Sequence, residues 1–484
     1  MDITLYPFQD QSIDALRAHI RAGRKNLILS APTGSGKTLC ASYLLDECNS
    51  KRKRAVFVVD RISLLDQTSA VLDQYAIPHG VIQADHWRYR PWERIQVASA
   101  QTLARRQWPQ ADLIIVDECH AILQTVVKRI AARDCVTVGL TATPFTKGLG
   151  KHYDSVVSVT TTNKLIEAGF LSRYRIFAAS EPDMTGAKVV AGEWSEDEAA
   201  KRSMPIVGDC VAEYLKHGGD KKFIAFGCTV AHCEEMQRQF MSAGVQCALY
   251  TYRTGDDERT RMVEEFRKPN SYIRGLISVS ALAKGFDVSD VEVVILARPL
   301  RKSFAEHVQM LGRGLRSHPG KESCTVLDHS SNCVRFWDQM QDFFENGASE
   351  LDDGRPKEKK KTKNSEKKPV KCPKCFRVHD PRPNCPHCGH VYPKRIGVSH
   401  QAGELRELAG GASATPDQRQ DIYSQLLYIT RDRGYKSGYA VAKYKARFGT
   451  FPTGLREIEK PPSPALLRWI RSEAIAFARA KGKR

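Results

Sequence analysis

The chain has 484 residues, enough for about three domains, and 42% of them are hydrophobic, which suffices for sizeable cores. Its formal net charge of +19 favours a polyanionic partner such as nucleic acid, with a generally basic surface that binds nothing as the alternative. The sequence has no run of about 18 apolar residues and no signal-peptide pattern at its N-terminus, so we expect a soluble cytoplasmic protein without a membrane partner.

The first 170 or so residues alternate apolar runs with amphipathic stretches, which is typical of a parallel sheet covered by helices on both faces. The predicted strands are 26–30, 55–60, 94–98, 113–117 and 136–141. A second series follows the polar segment 181–204, with predicted strands at 223–226, 246–250, 275–279, 291–296 and 324–327. The sequence therefore predicts an α/β fold of two tandem lobes, 1–175 and 176–350.

Between the first strand and the first helix of this series lies the segment 31–38, which reads A-P-T-G-S-G-K-T. This is the pattern of a P-loop, in which glycines let backbone N–H groups face phosphate oxygens at a helix N-terminus. Lys37 is predicted to reach the β- and γ-phosphates and Thr38 to bind Mg²⁺. The candidate nucleotide-binding residues here are Thr33, Gly34, Ser35, Gly36, Lys37 and Thr38. A glycine-rich turn without a ligand is the alternative.

The sequence D-E-C-H, residues 117–120, follows the very apolar strand 113–116. Strand carboxyl ends are where α/β sheets bind ligands. At such a place Asp117 can hold Mg²⁺ and Glu118 can orient the attacking water for phosphoryl transfer. A solvated surface pair of carboxylates is the alternative.

Further along the chain, L-T-A-T-P at 140–144 places two hydroxyls at another strand end. The segment 309–316, Q-M-L-G-R-G-L-R, is predicted to be helical, so that Arg313 and Arg316 share one face and can stabilise phosphate charge. In a loop before it, Gly285 allows close backbone approach and Asp287 is an acceptor for ribose or water. Solvated arginines are the alternative.

In this order, A-P-T-G-S-G-K-T, D-E-C-H, L-T-A-T-P, A-K-G-F-D and Q-M-L-G-R-G-L-R resemble motifs I, II, III, V and VI of the superfamily 2 helicases of the DEAD/DEAH type. The resemblance implies two RecA-like lobes with ATP and Mg²⁺ in the cleft between them and nucleic acid across both. It gives Glu118 as the catalytic base, Arg313 and Arg316 as γ-phosphate sensors with Arg316 as the finger, and Gln9 as the adenine reader. The segments 60–65 and 99–102 look like motifs Ia and Ib, which contact the nucleic-acid backbone.

Within that superfamily, the segments 140–145, 165–171, 285–287, 312–316 and 318–321 resemble the RadD and type III restriction-helicase branch. That branch acts on DNA, so the resemblance favours DNA over RNA and points to replication or repair proteins as partners. The cysteine region is shorter than in RadD-like proteins, and the C-terminal region does not follow their pattern.

A lysine-rich run at 351–371 is predicted to be a flexible linker. After it, Cys372, Cys375, Cys385 and Cys388 form two C-x2-C pairs nine residues apart, in a module that we place at 372–395. Four thiolates suit tetrahedral Zn²⁺, and a segment with so little core needs a metal to fold, so a structural zinc site is favoured over a redox pair. The other ten of the 14 cysteines are expected to be free thiols.

The region 412–484 reads as mainly helical and basic, with predicted helices at 416–430, 439–448 and 464–481. Lysines and arginines alternate with tyrosines and phenylalanines between 435 and 448, a mixture that suits nucleic acid, although part of this aromatic stripe must be core. The turn at 448–452 resembles a terminal module of phage helicases.

Together these features predict an ATP-dependent DNA helicase or translocase whose ATP hydrolysis nucleic acid stimulates, acting as a monomer. Two alternatives remain: a nucleotide-gated DNA-binding or remodelling ATPase that never separates strands, and an RNA helicase. Strand separation and tracking along a duplex share these motifs, because the wedge that splits strands is not a short motif.

Overall fold

The computed structural model describes residues 3–60, 62–178, 181–279, 288–354, 369–392 and 416–463, together with 466–467 and 469–470. The chain divides into two compact units, residues 1–394 and 395–484, and each is described by itself. None of the helices in these described ranges has the length and apolar character that crossing a membrane requires.

The first lobe contains a seven-stranded sheet in which every pair is parallel, in the order β3-β4-β2-β5-β6-β1-β7. Its strands are β1 Asn26–Ser30, β2 Ala55–Val59, β3 His79–Ile82, β4 Ile95–Ser99, β5 Leu113–Val116, β6 Val136–Thr141 and β7 Ser155–Val157. Its helices are α1 Pro7–Arg21, α2 Lys37–Ser50, α3 Ile62–Gln74, α4 Ala100–Leu103, α5 Gln124–Ile130 and α6 Thr162–Glu167.

The second lobe contains a six-stranded parallel sheet in the order β12-β13-β11-β14-β15-β8. Its strands are β8 Arg173–Ala178, β11 Phe223–Phe226, β12 Cys247–Leu249, β13 Gly275–Ser278, β14 Val293–Leu296 and β15 Ser323–Asp328, and the short hairpin β9 Val189–Val190 and β10 Glu193–Trp194 lies outside this sheet. Its helices are α7 Glu196–Ser203, α8 Val207–His217, α9 Val230–Ser242, α10 Asp256–Arg267, α11 Phe304–Gly312, α12 Asn332–Arg335 and α13 Trp337–Asn346. The predicted α/β fold with two parallel-sheet lobes is confirmed.

Successive side chains of a strand point to opposite faces of its sheet, and in both lobes the side chains on both faces are buried. In β1, Leu27 and Leu29 belong to one hydrophobic cluster and Ile28 to another. In β11, Phe226 and Phe223 are divided in the same way. The continuous apolar runs of the sequence are therefore strands covered on two sides.

The strand order places three carboxyl ends side by side in the first lobe. β6 pairs with β1, with Thr141 opposite Ser30, and β5 pairs with β6, with Val116 opposite Gly139. The segments that follow these strands, 31–38, 117–120 and 142–144, consequently meet at one edge of the sheet, where parallel sheets bind ligands.

A small module follows the second lobe and contains the antiparallel strands β16 Val370–Lys371 and β17 Val378–His379. It adds to the edge strand β8, because Ala178 N donates to Phe376 O at 3.0 Å and Phe177 pairs with Arg377 in an antiparallel bridge. Val378 packs into a core cluster of the second lobe. The module is thus fixed to that lobe through both backbone and core contacts.

The C-terminal unit contains α14 Pro416–Asp432 and α15 Gly438–Phe448. Of the aromatic stripe between 435 and 448, Tyr444 and Phe448 are buried, whereas Tyr435 is exposed. The stripe therefore divides between core and surface. Most of the predicted linker, at 355–368, and most of the predicted last helix, including 471–484, lie outside the described residues.

Candidate nucleotide-binding site

The P-loop joins the end of β1 to the start of α2. Gly34 and Gly36 have φ of +85° and +78°, a conformation that L side chains rarely adopt, and Gly36 is the N-cap of α2. A Cβ at Gly36 would lie 2.5 Å from Gln9 Nε2. The two glycines therefore permit a tight turn that brings the free N–H groups at the start of α2 to the edge of the sheet, which is the arrangement that binds phosphate.

Gln9, the predicted adenine reader, lies in the first turn of α1 and is buried. Its Oε1 accepts from Tyr6 N at 2.9 Å, and its Nε2 donates to Ser35 O at 2.9 Å. This amide thus fastens the start of α1 to the P-loop. Because an amide group has two N–H donors and two lone pairs, it retains the capacity to bond to a base as well.

The charged groups of both lobes act on Lys37. Its Nζ donates to Ala31 O at 3.0 Å and Pro32 O at 3.1 Å. Burial lowers the pKa of Lys37; the negative charges of Glu118 and Asp117 oppose this shift, and the positive charges of Arg316 and Arg313 add to it. Four predicted site residues from distant parts of the sequence therefore lie near enough to the P-loop lysine for their charges to act on it.

The carboxylates follow β5 on a strained stretch of backbone. Glu118 has φ of +46°, which is uncommon for a residue other than glycine and is concentrated at functional sites. Its N–H donates to Asp117 Oδ1 at 2.9 Å. Its Oε2 lies 3.0 Å from Nδ1 of His120, which also lies 2.9 Å from Thr141 Oγ1. The turn thus fixes both carboxylates at the carboxyl edge of the sheet.

Several observations fit bound ATP and Mg²⁺. The positive-φ glycines leave space where a Cβ would stand. The Lys37 ammonium donates to carbonyls of the loop, and a bound phosphate group would replace these carbonyls as its partner. Thr38, which is exposed on the first turn of α2, and Asp117 supply the oxygen ligands that Mg²⁺ prefers.

The second lobe touches the P-loop directly. A Cβ at Gly34 would lie 3.2 Å from Arg316 Cγ and 3.2 Å from Leu171 Cδ2, and a Cβ at Gly312 would lie 2.7 Å from Thr33 Cβ. The two lobes consequently meet at the loop that the first lobe presents to a nucleotide.

The arrangement of the two arginines differs from the prediction that they share a helix face. Helix α11 ends at Gly312, Arg313 is its C-cap, and Arg316 lies beyond the helix in a bridge with Leu171. Gly314 explains the early end, because a Cβ there would lie 2.3 Å from Cys324 Sγ, so the chain turns close to the sheet instead of continuing the helix. The prediction of one helical face was wrong, although both arginines reach the neighbourhood of Lys37.

Two residues of the site were missed by sequence reasoning. Gln309 on α11 places Nε2 3.3 Å from Thr143 Oγ1 and 3.3 Å from His120 Nε2, so it joins the second lobe to the first. If Gln309 donates to the ring, the neutral His120 carries its proton on Nδ1, facing Glu118. Both residues stand inside recognised motifs, the last letter of D-E-C-H and the first of Q-M-L-G-R, and that position was the available signal.

The predicted contributors Gly285 and Asp287 fall in 280–287, which lies outside the described residues. Their roles stay predictions.

The four cysteines of the small module come together. Their Sγ atoms all lie within 4.8 Å of one another, with 3.6 Å between Cys372 and Cys388 and 3.7 Å between Cys375 and Cys385. Zn–S bonds of about 2.3 Å in a tetrahedron place sulfurs about 3.8 Å apart, so the cluster fits Zn²⁺. Among the described residues, no histidine joins this group.

Comparison with known proteins identifies two families along the chain. Residues 2–146 match the family described as type III restriction enzyme, res subunit, and residues 207–318 match the helicase conserved C-terminal domain. These two matches cover most of the first lobe and the central part of the second.

Two relatives extend over most of the chain. A 51.5 kDa protein of a Lactococcus phage (isolate 7-9) is 27% identical over 382 residues, which are 75% of this chain and 78% of that protein. The Saccharomyces cerevisiae protein named "Putative ATP-dependent helicase IRC3" is 24% identical over 355 residues, 67% of this chain, and the matched part is only 51% of the yeast protein.

Among solved structures, a fragment of an HsdR subunit of a type I restriction enzyme from Vibrio vulnificus YJ016 matches 72% of this chain and 69% of its own length, with a TM-score of 0.57 and 20% identity. This likeness shows a shared fold of the two lobes.

Proposed function

We propose that this chain, a superfamily 2 helicase by its two motor domains, hydrolyses ATP between its lobes and uses the energy to move along or unwind DNA. The convergence of Glu118, Asp117, Arg316 and Arg313 on the P-loop Lys37 carries the assignment of the site. Charges from two lobes gathered around one phosphate cradle are what phosphoryl transfer requires, because its catalysis is mainly positioning and electrostatic stabilisation.

The residues of the first lobe bind the phosphates and prepare the attacking water. Lys37 exchanges its carbonyl partners for the β- and γ-phosphates, and the N–H groups of the loop complete the cradle. Thr38 and Asp117 would hold Mg²⁺, which supplies positive charge against the phosphate oxygens. Glu118 accepts a proton from the attacking water. The water oxygen forms a bond to the γ-phosphorus while the bond from the γ-phosphorus to the leaving ADP oxygen breaks.

The second lobe completes the site. Arg316 donates its guanidinium to the charge that develops on the transferred phosphate, and Arg313 supports it. Gln309 connects the same lobe to Thr143 and His120, and His120 in turn lies beside Glu118. Closure of the cleft thereby positions the arginines and the catalytic base together, and opening of the cleft after hydrolysis separates them.

DNA is the proposed substrate. The type III restriction family matched by the first lobe and the formal net charge of +19 support a DNA partner. An RNA helicase and a remodelling ATPase that does not separate strands are the competing functions. Replication or repair proteins are the proposed partners, and the cytoplasm is the proposed location.

The four cysteines would hold Zn²⁺ in a closed structural site. The metal would order a module whose described strands are only two residues long, and the module would in turn cover the edge strand β8 of the second lobe.

The central experiment measures ATP hydrolysis with single-stranded DNA, duplex DNA and RNA in turn, followed by strand displacement on tailed duplexes. We expect single-stranded DNA to give the strongest stimulation and Lys37→Ala to abolish hydrolysis, since the phosphates lose their main cation. Equal rates with and without nucleic acid, or hydrolysis that survives Lys37→Ala, would falsify the motor assignment. Stronger stimulation by RNA would favour the RNA helicase, and stimulation without strand displacement would favour the remodelling ATPase.

A further inference from the structure

The connection between β3 and β4, residues 83–94, displays an unusual amount of aromatic surface. We call it the aromatic loop; it reads Q-A-D-H-W-R-Y-R-P-W-E-R. Trp87 is 74% exposed, Trp92 71% and Tyr89 49%. Large exposed aromatic side chains close together form an apolar patch, and such patches mark binding sites. None of the helicase motifs includes this loop, so its exposed rings need a separate explanation.

The backbone of the aromatic loop is fixed by contacts to α3, β3 and β4. Arg88 forms a two-pronged ion pair with Asp73 of α3, with Nη2 2.8 Å from Oδ2, and its carbonyl accepts from Val81 N at 3.0 Å. Gln96 Nε2 of β4 donates to both Arg90 O and Glu93 O at 2.9 Å. The rings are therefore presented on a fixed backbone, which lowers the entropy cost of binding a ligand.

Cations stand beside the exposed rings. The Arg88 guanidinium lies 4.7 Å from the centroid of the Trp87 ring, and the Arg106 guanidinium lies 5.8 Å from that of Tyr89. Arg90 and Arg105 have no carboxylate within ion-pair distance among the described residues, and they add positive charge to the loop and to the segment after α4. Aromatic faces interleaved with arginines suit bases and phosphates together.

The position of Trp87 and Tyr89 connects them to the predicted path of nucleic acid. Arg106, which contacts Tyr89, donates through Nη2 to Ala84 O at 3.0 Å and follows α4 in the chain. The start of α4 belongs to the segment 99–102, the one that looks like motif Ib. Strand β3 ends at Ile82 opposite Ala98 of β4, so the aromatic loop begins at the edge where the other motifs of the first lobe lie, with Trp87 five residues further along the chain.

We infer that Trp87 and Tyr89 stack on unpaired bases of a single strand as that strand leaves the segment 99–102. This deepens the proposed function and rests on it. A duplex offers the same phosphates but keeps its base faces stacked, so the aromatic loop selects for single-stranded nucleic acid. The loop thereby gives the motor a preference that the nucleotide site alone cannot supply.

Trp92 provides a matched control within the same loop. It is almost as exposed as Trp87, but it stands three residues before the start of β4 at Ile95, whereas the motif Ib segment begins at the other end, at Ser99. Five strand residues at ~3.3 Å each separate the two ends by roughly 13 Å. If exposure alone decided binding, both tryptophans would matter equally.

The test measures fluorescence anisotropy of a labelled oligothymidylate of about 20 nucleotides and of a blunt duplex of the same length, with full-length wild type, Trp87→Ala, Trp87→Phe and Trp92→Ala. We expect Trp87→Ala to weaken single-strand binding by about tenfold, the loss typical of one stacked base. Trp87→Phe, which keeps an aromatic face, and Trp92→Ala should remain near wild type, and duplex binding should not change in any variant.

Equal losses in Trp87→Ala and Trp92→Ala, equal losses on single strand and duplex, or no loss in Trp87→Ala would each overturn the inference. Unstimulated ATP hydrolysis is measured alongside and should be the same in all four proteins, which shows that each variant is folded. If wild-type hydrolysis responds to no nucleic acid, the proposed function fails; if it responds but Trp87→Ala binds normally, only the inference fails.

Discussion

The four-cysteine cluster and the nucleotide site are both recognisable from short motifs, but they are assembled in different ways. The four cysteines lie between residues 372 and 388, and their sulfurs meet through two turns of one module. The groups around the P-loop come from residues as far apart as Gln9 and Arg316 and from two lobes. A self-contained site depends on local folding, whereas a distributed site depends on the position of one lobe against the other and can be switched by their movement.

If that contrast holds, changes at the distributed site should affect ATP hydrolysis most and changes at the self-contained site least. The largest effect is expected for Glu118→Gln, which keeps the shape of the side chain but removes the group that accepts the proton. We expect kcat to fall by about a thousandfold, within the range of general-base catalysis, while ATP affinity stays near wild type. Steady-state hydrolysis and binding of a fluorescent ATP analogue check this, with Glu235→Gln, a carboxylate of α9 that pairs with Arg238, as the control. Parallel losses in kcat and affinity would show that Glu118 acts in binding.

The second effect concerns the contribution of the other lobe. Arg316→Lys keeps a positive charge but loses the planar fork that binds two phosphate oxygens, so we expect kcat to fall by about 10- to 100-fold. Arg238→Lys, a surface change in an ion pair with Glu235, should leave hydrolysis unchanged. A normal rate in Arg316→Lys would mean that a positive charge suffices at this position and that another residue makes the two-pronged contact with the transferred phosphate.

A smaller effect is expected where the lobes are linked without direct contact to phosphate. Gln309→Ala removes the contacts to Thr143 and His120, each 3.3 Å long, and should slow stimulated hydrolysis by about three- to tenfold, since one side chain–side chain link is worth about 1 kcal/mol. The rate without nucleic acid should change less. Gln237→Ala, which loses a bond to Cys247 O within the second lobe, is the control. A uniform slowing with and without nucleic acid would argue against a role in coupling.

The smallest effect on hydrolysis is expected at the self-contained site. Cys372→Ser should remove bound zinc, measured by metal analysis of the purified protein, and lower the melting temperature, because Val378 and Phe376 contact the second lobe. Below that temperature, hydrolysis should stay within about twofold of wild type. Cys48→Ser, at a half-buried free thiol, should keep its zinc. Unchanged zinc in Cys372→Ser would rule out the four-cysteine site.

The predictability of each element from sequence follows the same division. Central strands such as β1 and β5 are continuous apolar runs, so their positions were predicted to within a residue or two. Strands β3, β7 and β8 were missed because each is short or, like R-Y-R-I-F-A in β8, mixes polar with apolar residues; all three lie at sheet edges.

At the site, the P-loop and the carboxylates were recognisable because each occupies a few consecutive residues. The end of α11 before Arg313 could not be recognised in the sequence, since it depends on how closely Gly314 approaches Cys324, a residue of strand β15. The Gln309 contacts and the aromatic loop escaped for a related reason: their meaning depends on what the fold places beside them.

Gly312 has a consequence for the mechanics of the motor. Gly312 is the last residue of α11 and is not among the glycines with positive φ, so the backbone there does not itself require a glycine. A methyl group at this position would lie 2.7 Å from Thr33 Cβ and would clash with the P-loop unless the two lobes moved apart. The absence of a Cβ at Gly312 therefore lets the end of α11 approach the P-loop at Thr33 more closely than any larger residue would allow.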